Sequence, residues 1–156
     1  MTPAINIARK AKISYKVHEY PHDPSIESYG SEAAKKMGVT EERVFKTLVV
    51  SIGGKALVVG VVPVSSMLSM KLIAKANGAK KASMAEASDV ERSTGYVLGG
   101  VSPIGQKKRL KTTIDASAKK YPTIFVSAGR RGLEIELKSA DLQKLTDGIF
   151  AQMPIA

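Results

Sequence analysis

The chain has 156 residues, of which 44% are hydrophobic and 24% charged, so it favours one globular domain large enough to bury its own core. Its 24 lysines and arginines against 14 acidic residues give a formal net charge of +10, which predicts an anionic partner, with nucleic acid ahead of a membrane surface. The absence of cysteine excludes disulfides, thiolate metal sites and a cysteine nucleophile.

Two features bear on location. The first ten residues, MTPAINIARK, lack the apolar core of a signal peptide. The longest apolar run, residues 56–64, is far shorter than the roughly 20 residues that a membrane-spanning helix needs. We therefore expect a cytoplasmic protein with no membrane partner.

Helical and strand patterns follow one another without strict alternation, which predicts a single α+β domain with a mixed sheet. Thr2, Ser31 and Ser139 are predicted N-caps, and glycines are predicted to end several helices. In the first part of the chain we predict a helix at 3–12, a half-buried strand at 13–20 with Tyr15 and Val17 inward, a loop at 21–30, a helix at 31–37 and a turn from 40. The middle part is predicted to contain strands at 44–52 and 55–64, helices at 69–77 and 88–94, and an apolar strand-like piece at 96–98. The last part is predicted to contain a strand at 111–115, a helical turn at 117–121, strands at 123–127 and 133–137, and a helix at 139–148.

A lysine stands out in the first predicted hairpin. Gly53 and Gly54 between two β-branched runs predict a two-residue turn, which places Lys46 opposite Val61. Period-two geometry then puts Lys46 in an apolar row, with Phe45 and Thr47 on the other face. Burying an unpaired ammonium costs several kcal/mol or lowers its pKa. Lys46 must therefore either extend to solvent at the sheet edge or meet an anion in a pocket, and the residues alone leave both interpretations open.

The segment STGYVLGGVSPIGQKKR, residues 93–109, holds four of the 13 glycines and ends in a basic cluster. Glycine is favoured where backbone takes positive φ or lies against a ligand, so this segment suits an anionic or carbonyl-bearing substrate. The segment is equally compatible with a purely structural interpretation, in which a strand is followed by a turn and a solvent-exposed run of basic residues. A nucleotide-binding phosphate loop is excluded, because Gln106 occupies the position that such a loop reserves for lysine.

Conventional catalytic machinery is nearly absent from the sequence. His18 and His22 have the spacing of a helical metal pair, but Pro21 between them forbids that helix, so we expect no metal and no cofactor. Glu134 and Glu136 are expected to point outward or to line a cleft. An enzyme with this composition must depend on positioning and backbone donors, assisted by a reactive group on its substrate.

Several motifs together resemble the YbaK family of free-standing aminoacyl-tRNA deacylases, over residues 1 to about 148. The resemblance implies a mixed, barrel-like sheet surrounded by helices, as in the insertion editing domain of bacterial prolyl-tRNA synthetases, with residues 1–156 as one editing domain. The motifs are MTPA, YPHDP, GSEAAKKMG, VFKTLVV, STGYVLGGVSPIGQKKR and TIFVSAGRRGLEIEL.

The resemblance also implies an activity, the hydrolysis of mischarged Cys-tRNA(Pro) and, as a further substrate, Cys-tRNA(Cys). The cysteinyl thiol of the substrate would attack the ester and release the tRNA through a cyclic thioester. Implied partners are the acceptor end of tRNA and prolyl-tRNA synthetase. Two alternatives stay open: a deacylase for another small amino acid, such as Ala-tRNA(Pro), and a non-catalytic module that binds tRNA or a synthetase.

Site residues follow from the same resemblance. Lys46 would hold the 3′-terminal nucleotide, Tyr20 would line its pocket, and the backbone of Gly99 would approach the aminoacyl group, with Gly99 and Gly100 amides as the oxyanion hole. Tyr29 replaces a common Phe, and Glu134 replaces a common Asp, which adds a methylene beside the pocket. The expected substrate contacts are Tyr29, Gly100, Ser102, Ser127 and Glu134, and the expected tRNA contacts are Lys107, Lys108, Arg109 and Lys111.

Overall fold

A computed structural model describes residues 1–26 and 29–155, and for Tyr29 it describes the backbone only. The helices are α1 (Pro3–Lys10), α2 (Tyr29–Met37), α3 (Met70–Ala76), α4 (Ala87–Thr94) and α5 (Ser139–Thr146), with 3-10 turns at Glu41–Arg43 and Ala116–Lys120. The strands are β1 (Tyr15–Glu19), β2 (Phe45–Ile52), β3 (Ala56–Pro63), β4 (Ala82–Met84), β5 (Lys111–Asp115), β6 (Ile124–Arg130), β7 (Leu133–Leu137) and β8 (Ile149–Ala151).

The strands form two sheets. One has three antiparallel strands in the order β1-β7-β6, and the other has five in the order β4-β2-β3-β5-β8. In the larger sheet β2 pairs antiparallel with β3 and β4, whereas β5 runs parallel to β3 and β8. A bridge between Val44 and Phe125 joins the two sheets. The predicted α+β domain with mixed strands is confirmed, but the sheets do not close into a barrel.

The β2–β3 hairpin is buried on both faces, which explains why both of its faces are apolar in the sequence. The main core packs one face against α1, β5, β6, β7 and α5, with Val49, Val59 and Ile135 at most 2% exposed. A second cluster covers the other face, where Val50, Val58 and Val62 meet residues of α3 and the C-terminal segment. Complete burial of a side chain of this size is worth about 1.5 to 3 kcal/mol.

Helix ends mostly follow the predicted capping chemistry. The Thr2 Oγ1 accepts a hydrogen bond from Ile5 N at 3.2 Å at the start of α1. Gly38 and Gly95 follow α2 and α4 at φ +70° and +79°, a conformation that glycine adopts without strain. Two predicted caps are wrong, because α2 already begins at Tyr29 and α5 begins at Ser139 itself.

The hairpin register is one residue away from the prediction. Lys46 faces Val62, because Gly53, Gly54 and Lys55 together form a three-residue connection and Ile52 pairs with Ala56. Both glycines have positive φ, so the turn predicted at Gly53 and Gly54 is confirmed and only its predicted length of two residues is wrong.

Two further predictions fail where strand neighbours decide. Val17 is 38% exposed because β1 is an edge strand. Residues 96–98 belong to a turn, in which Gly100 N–H donates to Val97 O at 3.0 Å, and no strand forms there. The segment after residue 148, for which the sequence predicts no element, adds β8 beside β5, a strand of three residues that is too short for a periodic signal. Within residues 1–26 and 29–155 no helix is long and apolar enough to span a bilayer.

Candidate active site

A cavity of about 300 Å³ lies where the two sheets meet. This volume is at the lower end of the range for small-molecule sites, so the cavity suits a compact ligand. The described part of the wall combines apolar side chains with a few polar ones and contains no histidine. It is formed by Tyr20, Gly30, Ala33, Val44, Phe45, Lys46, Thr47, Leu48, Val64, Leu98, Gly99, Val101, Ser127, Arg131 and Glu134.

The N-terminal part of strand β2 borders the cavity along its unpaired edge. Residues 44–48 all line the wall, although alternate residues of a strand point to opposite faces. This is possible because β4 pairs only with residues 50–52 and leaves the preceding edge of β2 open. The expectation that Phe45 and Thr47 stay away from Lys46 is therefore wrong. The Thr47 Oγ1 is buried and has no hydrogen-bond partner within the described residues, so it is available to a ligand.

Lys46 is half-buried and lines the cavity, so its pocket interpretation, left open by the sequence, is the one that the structure supports. Burial lowers the pKa of the Lys46 ammonium. No acidic side chain among the described residues forms an ion pair with it. A cation without a counter-ion in a partly desolvated cavity favours an anionic ligand.

Glu134 contributes a carboxyl group to the cavity wall. It lies on the central strand β7, with His18 on β1 and Ser127 on β6 as its cross-strand neighbours. The residue is only 7% exposed and makes no hydrogen bond within the described residues, but its carboxyl oxygens are not fully enclosed and can be reached from the cavity. Burial raises the pKa of Glu134 to about 8. Burial, together with the charge of Glu134, also raises the pKa of the Tyr20 hydroxyl to about 12.

The two adjacent glycines of the turn have different roles. Gly99 lines the cavity at φ +90°, and its N–H donates to no group in the described part of the chain. Gly100 N–H is already bound to Val97 O, and an added Cβ on Gly100 would lie 2.7 Å from the Arg130 Cα. Gly100 is thus needed for close packing, and only Gly99 of the predicted pair offers an amide to an oxyanion.

A buried acid fixes the loop that carries Tyr20. The Glu32 side chain is fully buried and lies 3.0 Å from His22 Nδ1, 2.8 Å from the Asp23 backbone N and 3.4 Å from the Arg131 guanidinium. Arg131 also donates to the Ile26 carbonyl. These contacts tie the loop after β1 to α2 and to the β6–β7 connection, which defines one side of the cavity.

The aminoacyl-tRNA editing domain model matches residues 23–145. The chain belongs to this family. A relative from Enterococcus faecalis, named "Putative Cys-tRNA(Pro)/Cys-tRNA(Cys) deacylase EbsC", is 40% identical over 97% of this chain and 92% of its own length. The uncharacterized protein YwhH of Bacillus subtilis is 29% identical over 74% of this chain and 73% of its own length.

The fold of the editing domain also matches solved structures. The crystal structure titled "a putative trans-editing enzyme for prolyl tRNA synthetase" aligns with a TM-score of 0.87 over 99% of this chain and 96% of that one, at 21% identity. At this identity the likeness concerns the fold alone.

Five of the residues predicted for the editing site meet in the cavity: Tyr20, Lys46, Gly99, Ser127 and Glu134. Gly100 and Ser102 do not line it. Ser102 is fully buried, and its Oγ accepts a hydrogen bond from Ile104 N at 3.2 Å, so it stabilises the loop. The side chain of Tyr29 lies outside the described part of the chain.

Sequence reasoning missed other members of the wall, chiefly Gly30, Leu98 and Arg131. An added Cβ on Gly30 would lie 2.1 Å from the Val64 Cγ1, so glycine is required there. Arg131 lies between the strands predicted at 123–127 and 133–137, and the proximity of Glu32 could not be read from the sequence. No group of three His, Asp or Glu residues that could hold a metal is present in the described ranges.

The predicted tRNA contacts lie on the surface, outside the cavity. Their four side chains are exposed and form no ion pair among the described residues. Lys111 pairs with Val58, whereas Lys46 pairs with Val62, which separates them by about 13 Å along the strands. This basic cluster comprises Lys107, Lys108, Arg109 and Lys111.

Proposed function

We propose that this chain is a trans-acting deacylase that removes cysteine from mischarged Cys-tRNA(Pro), with Cys-tRNA(Cys) as a further substrate. The observation that carries the proposal is that Lys46 and Gly99, whose N–H has no partner among the described residues, line the same small cavity. The described wall of this cavity contains neither histidine nor cysteine, and its Thr47 and Ser127 hydroxyls donate to no base among the described residues, so we assign the attacking group to the substrate. The name of the Enterococcus relative supports cysteine as the amino acid.

In the proposed reaction the chain's own residues orient the ester. The Lys46 ammonium binds the phosphate or ribose of the terminal nucleotide, and Tyr20 closes the pocket beside it. The Gly99 N–H donates to the oxygen that becomes negative when the carbonyl is attacked. One such donor typically contributes a factor of about 100 to 1000 in rate.

The substrate thiol supplies the nucleophile. Its sulfur loses a proton and forms a C–S bond to the ester carbonyl carbon, the bond from that carbon to the ribose oxygen breaks, and the ribose oxygen takes up a proton. Free tRNA and a cyclic thioester leave, and water later opens the thioester. A preorganised geometry is sufficient for this intramolecular attack, which explains why no protein nucleophile is needed.

The proposal extends to the partners of the chain and to its location in the cell. The basic cluster binds the acceptor-stem phosphates without reading sequence. Residues 1–156 act as one editing domain in the cytoplasm, where prolyl-tRNA synthetase is the proposed protein partner and source of the mischarged tRNA.

The proposal is tested by deacylation of tRNA(Pro) charged with cysteine, alanine or serine. We expect rapid release of cysteine and almost none of serine, because a hydroxyl is a far weaker nucleophile than a thiol. Equal release of the serine ester would contradict the role of the thiol. Preferential release of alanine would instead indicate water activated by the protein.

A further inference from the structure

The proposed reaction leaves one proton without a destination. A cysteinyl thiol has an ordinary pKa of about 8.5, so it is mostly protonated near pH 7, whereas the thiolate is the attacking form. Some group must accept this proton and return one to the leaving ribose oxygen. The following inference rests on the proposed function and assigns that group.

Among the described residues of the cavity wall, four side chains can carry charge: Tyr20, Lys46, Arg131 and Glu134. Arg131 keeps its proton under all relevant conditions. The Tyr20 hydroxyl, with its pKa raised to about 12, remains protonated and cannot act as a base near neutrality. Lys46 is required as a cation for the nucleotide. Glu134 is the remaining candidate among the described residues of the wall.

The surroundings of Glu134 contrast with those of Glu136, which points to the same side of β7. Glu136 is fully engaged, with His18 Nε2 at 2.8 Å, Thr123 Oγ1 at 2.5 Å and Arg43 at 3.8 Å. Glu134, although more buried, has no hydrogen-bond donor among the described residues. A buried carboxyl group without a donor is costly to keep, so its presence in a ligand cavity needs an explanation.

We propose that Glu134 is the general base of the reaction, which takes the proton from the substrate thiol and delivers it to the leaving ribose oxygen. The carboxylate accepts the S–H proton as the C–S bond forms. The protonated carboxyl group then donates to the ribose oxygen as the C–O bond breaks, and Glu134 returns to its starting state. No further reactant is consumed.

The electrostatic surroundings suit this role. With its pKa raised to about 8 by burial, Glu134 lies close to the operating pH, where a general base works best. The charged and titratable groups around it are Tyr20 from the loop after β1, His18 on β1, Lys46 on β2 and Arg131 from the β6–β7 connection. The charge of Arg131 is largely neutralised by Glu32, and His18 is bound to Glu136.

The test is single-turnover release of cysteine from Cys-tRNA(Pro) with enzyme in excess, between pH 6 and pH 9. Glu134→Gln keeps the shape and removes the base, so we expect release about 100-fold slower at pH 7. The deficit should shrink toward pH 9, because the thiol then ionises without help. The enzyme concentration giving half-maximal rate should not change. Glu134→Asp, which retains a carboxylate, should recover part of the rate.

Glu19→Gln is the matched control, since Glu19 is an exposed acid on β1 outside the cavity. It should react like the wild type. Should Glu134→Gln fail to fold, Glu134→Ala decides: added formate, which can replace the missing carboxylate, should restore part of its rate at pH 7, and no restoration would overturn the assignment. A Glu134→Gln rate equal to wild type, or a deficit independent of pH, would overturn the assignment. A wild type that releases no cysteine at any pH would instead overturn the proposed function.

Discussion

Glu134 and Glu136 lie two residues apart on the same side of β7, yet their surroundings differ in kind. Burial would raise the pKa of Glu136, but hydrogen bonds from Thr123 and His18 and the charge of Arg43 lower it. Glu134 receives no such donors, and burial raises its pKa. The two glutamates therefore differ in the number of hydrogen-bond and charge partners around them. Glu136 uses its partners to connect elements of the fold, whereas Glu134 is available to a substrate.

The largest expected effect comes from the cation in the same cavity. Lys46→Ala should slow cysteine release by about 100-fold or more, because a charge-assisted contact to the nucleotide is lost. Thermal stability should not fall, since no described acid pairs with Lys46. Single-turnover kinetics and a melting curve measure both. If Lys46→Ala stayed active, the contact between Lys46 and the terminal nucleotide would not be needed for the reaction at Glu134.

The pH dependence of stability should have opposite signs at the two glutamates. The pKa of Glu134 is raised from 4.5 to about 8, so its contribution is fully present below pH 4.5 and is lost as the pH rises through 8. Wild type should lose a few kcal/mol of unfolding free energy between pH 5 and pH 9 through this group. Urea unfolding of Glu134→Gln should not show that loss. Parallel curves for the two proteins would contradict the raised pKa.

The contribution of Glu136 should behave in the reverse way. Its pKa is lowered, so its stabilisation is present above about pH 4.5 and is lost as the pH falls through the lowered value. Glu136→Gln should cost about 1 to 3 kcal/mol of unfolding free energy at pH 7, because the hydrogen bonds to His18 and Thr123 weaken. Urea unfolding at pH 7 is the measurement, and unchanged stability would contradict a structural role for Glu136.

The smallest effect concerns the surface that lies away from both glutamates. Replacing Lys107 and Lys108 together with alanine should weaken tRNA binding evenly across sequences. It should also reduce the slope of log affinity against log salt by about 0.7 to 0.9 per lysine. Fluorescence titration at several salt concentrations gives the slope. The matched control replaces the exposed Lys71 and Lys75 of α3, which covers the opposite face of the β2–β3 hairpin, and an equal effect there would indicate nonspecific attraction.

Several elements were predictable because their signals are local. Thr2, Gly38 and Gly95 mark helix ends through capping, and Lys46 stands out as a cation in an apolar row. The hairpin register was not predictable to one residue, since Gly53-Gly54 fits connections of two and three residues equally well. The edge-on position of β2 depends on where β4 stops pairing, which is a long-range property.

The site itself was only partly predictable for a similar reason. Alternation along β7 treats Glu134 and Glu136 alike, and the sequence does not reveal that Thr123, His18 and Arg43 all converge on the second. Arg131 joins the cavity because Glu32 and the Ile26 carbonyl hold it there. Gly100, which resembled a second amide donor, has its N–H occupied within the turn.

The most direct measurement is the single-turnover release of cysteine from Cys-tRNA(Pro) at pH 7 by wild type, Glu134→Gln and Glu136→Gln in parallel. The account predicts a loss of about 100-fold for the change at position 134 and a rate close to wild type for the same change at position 136. Equal rates for the two variants would contradict it.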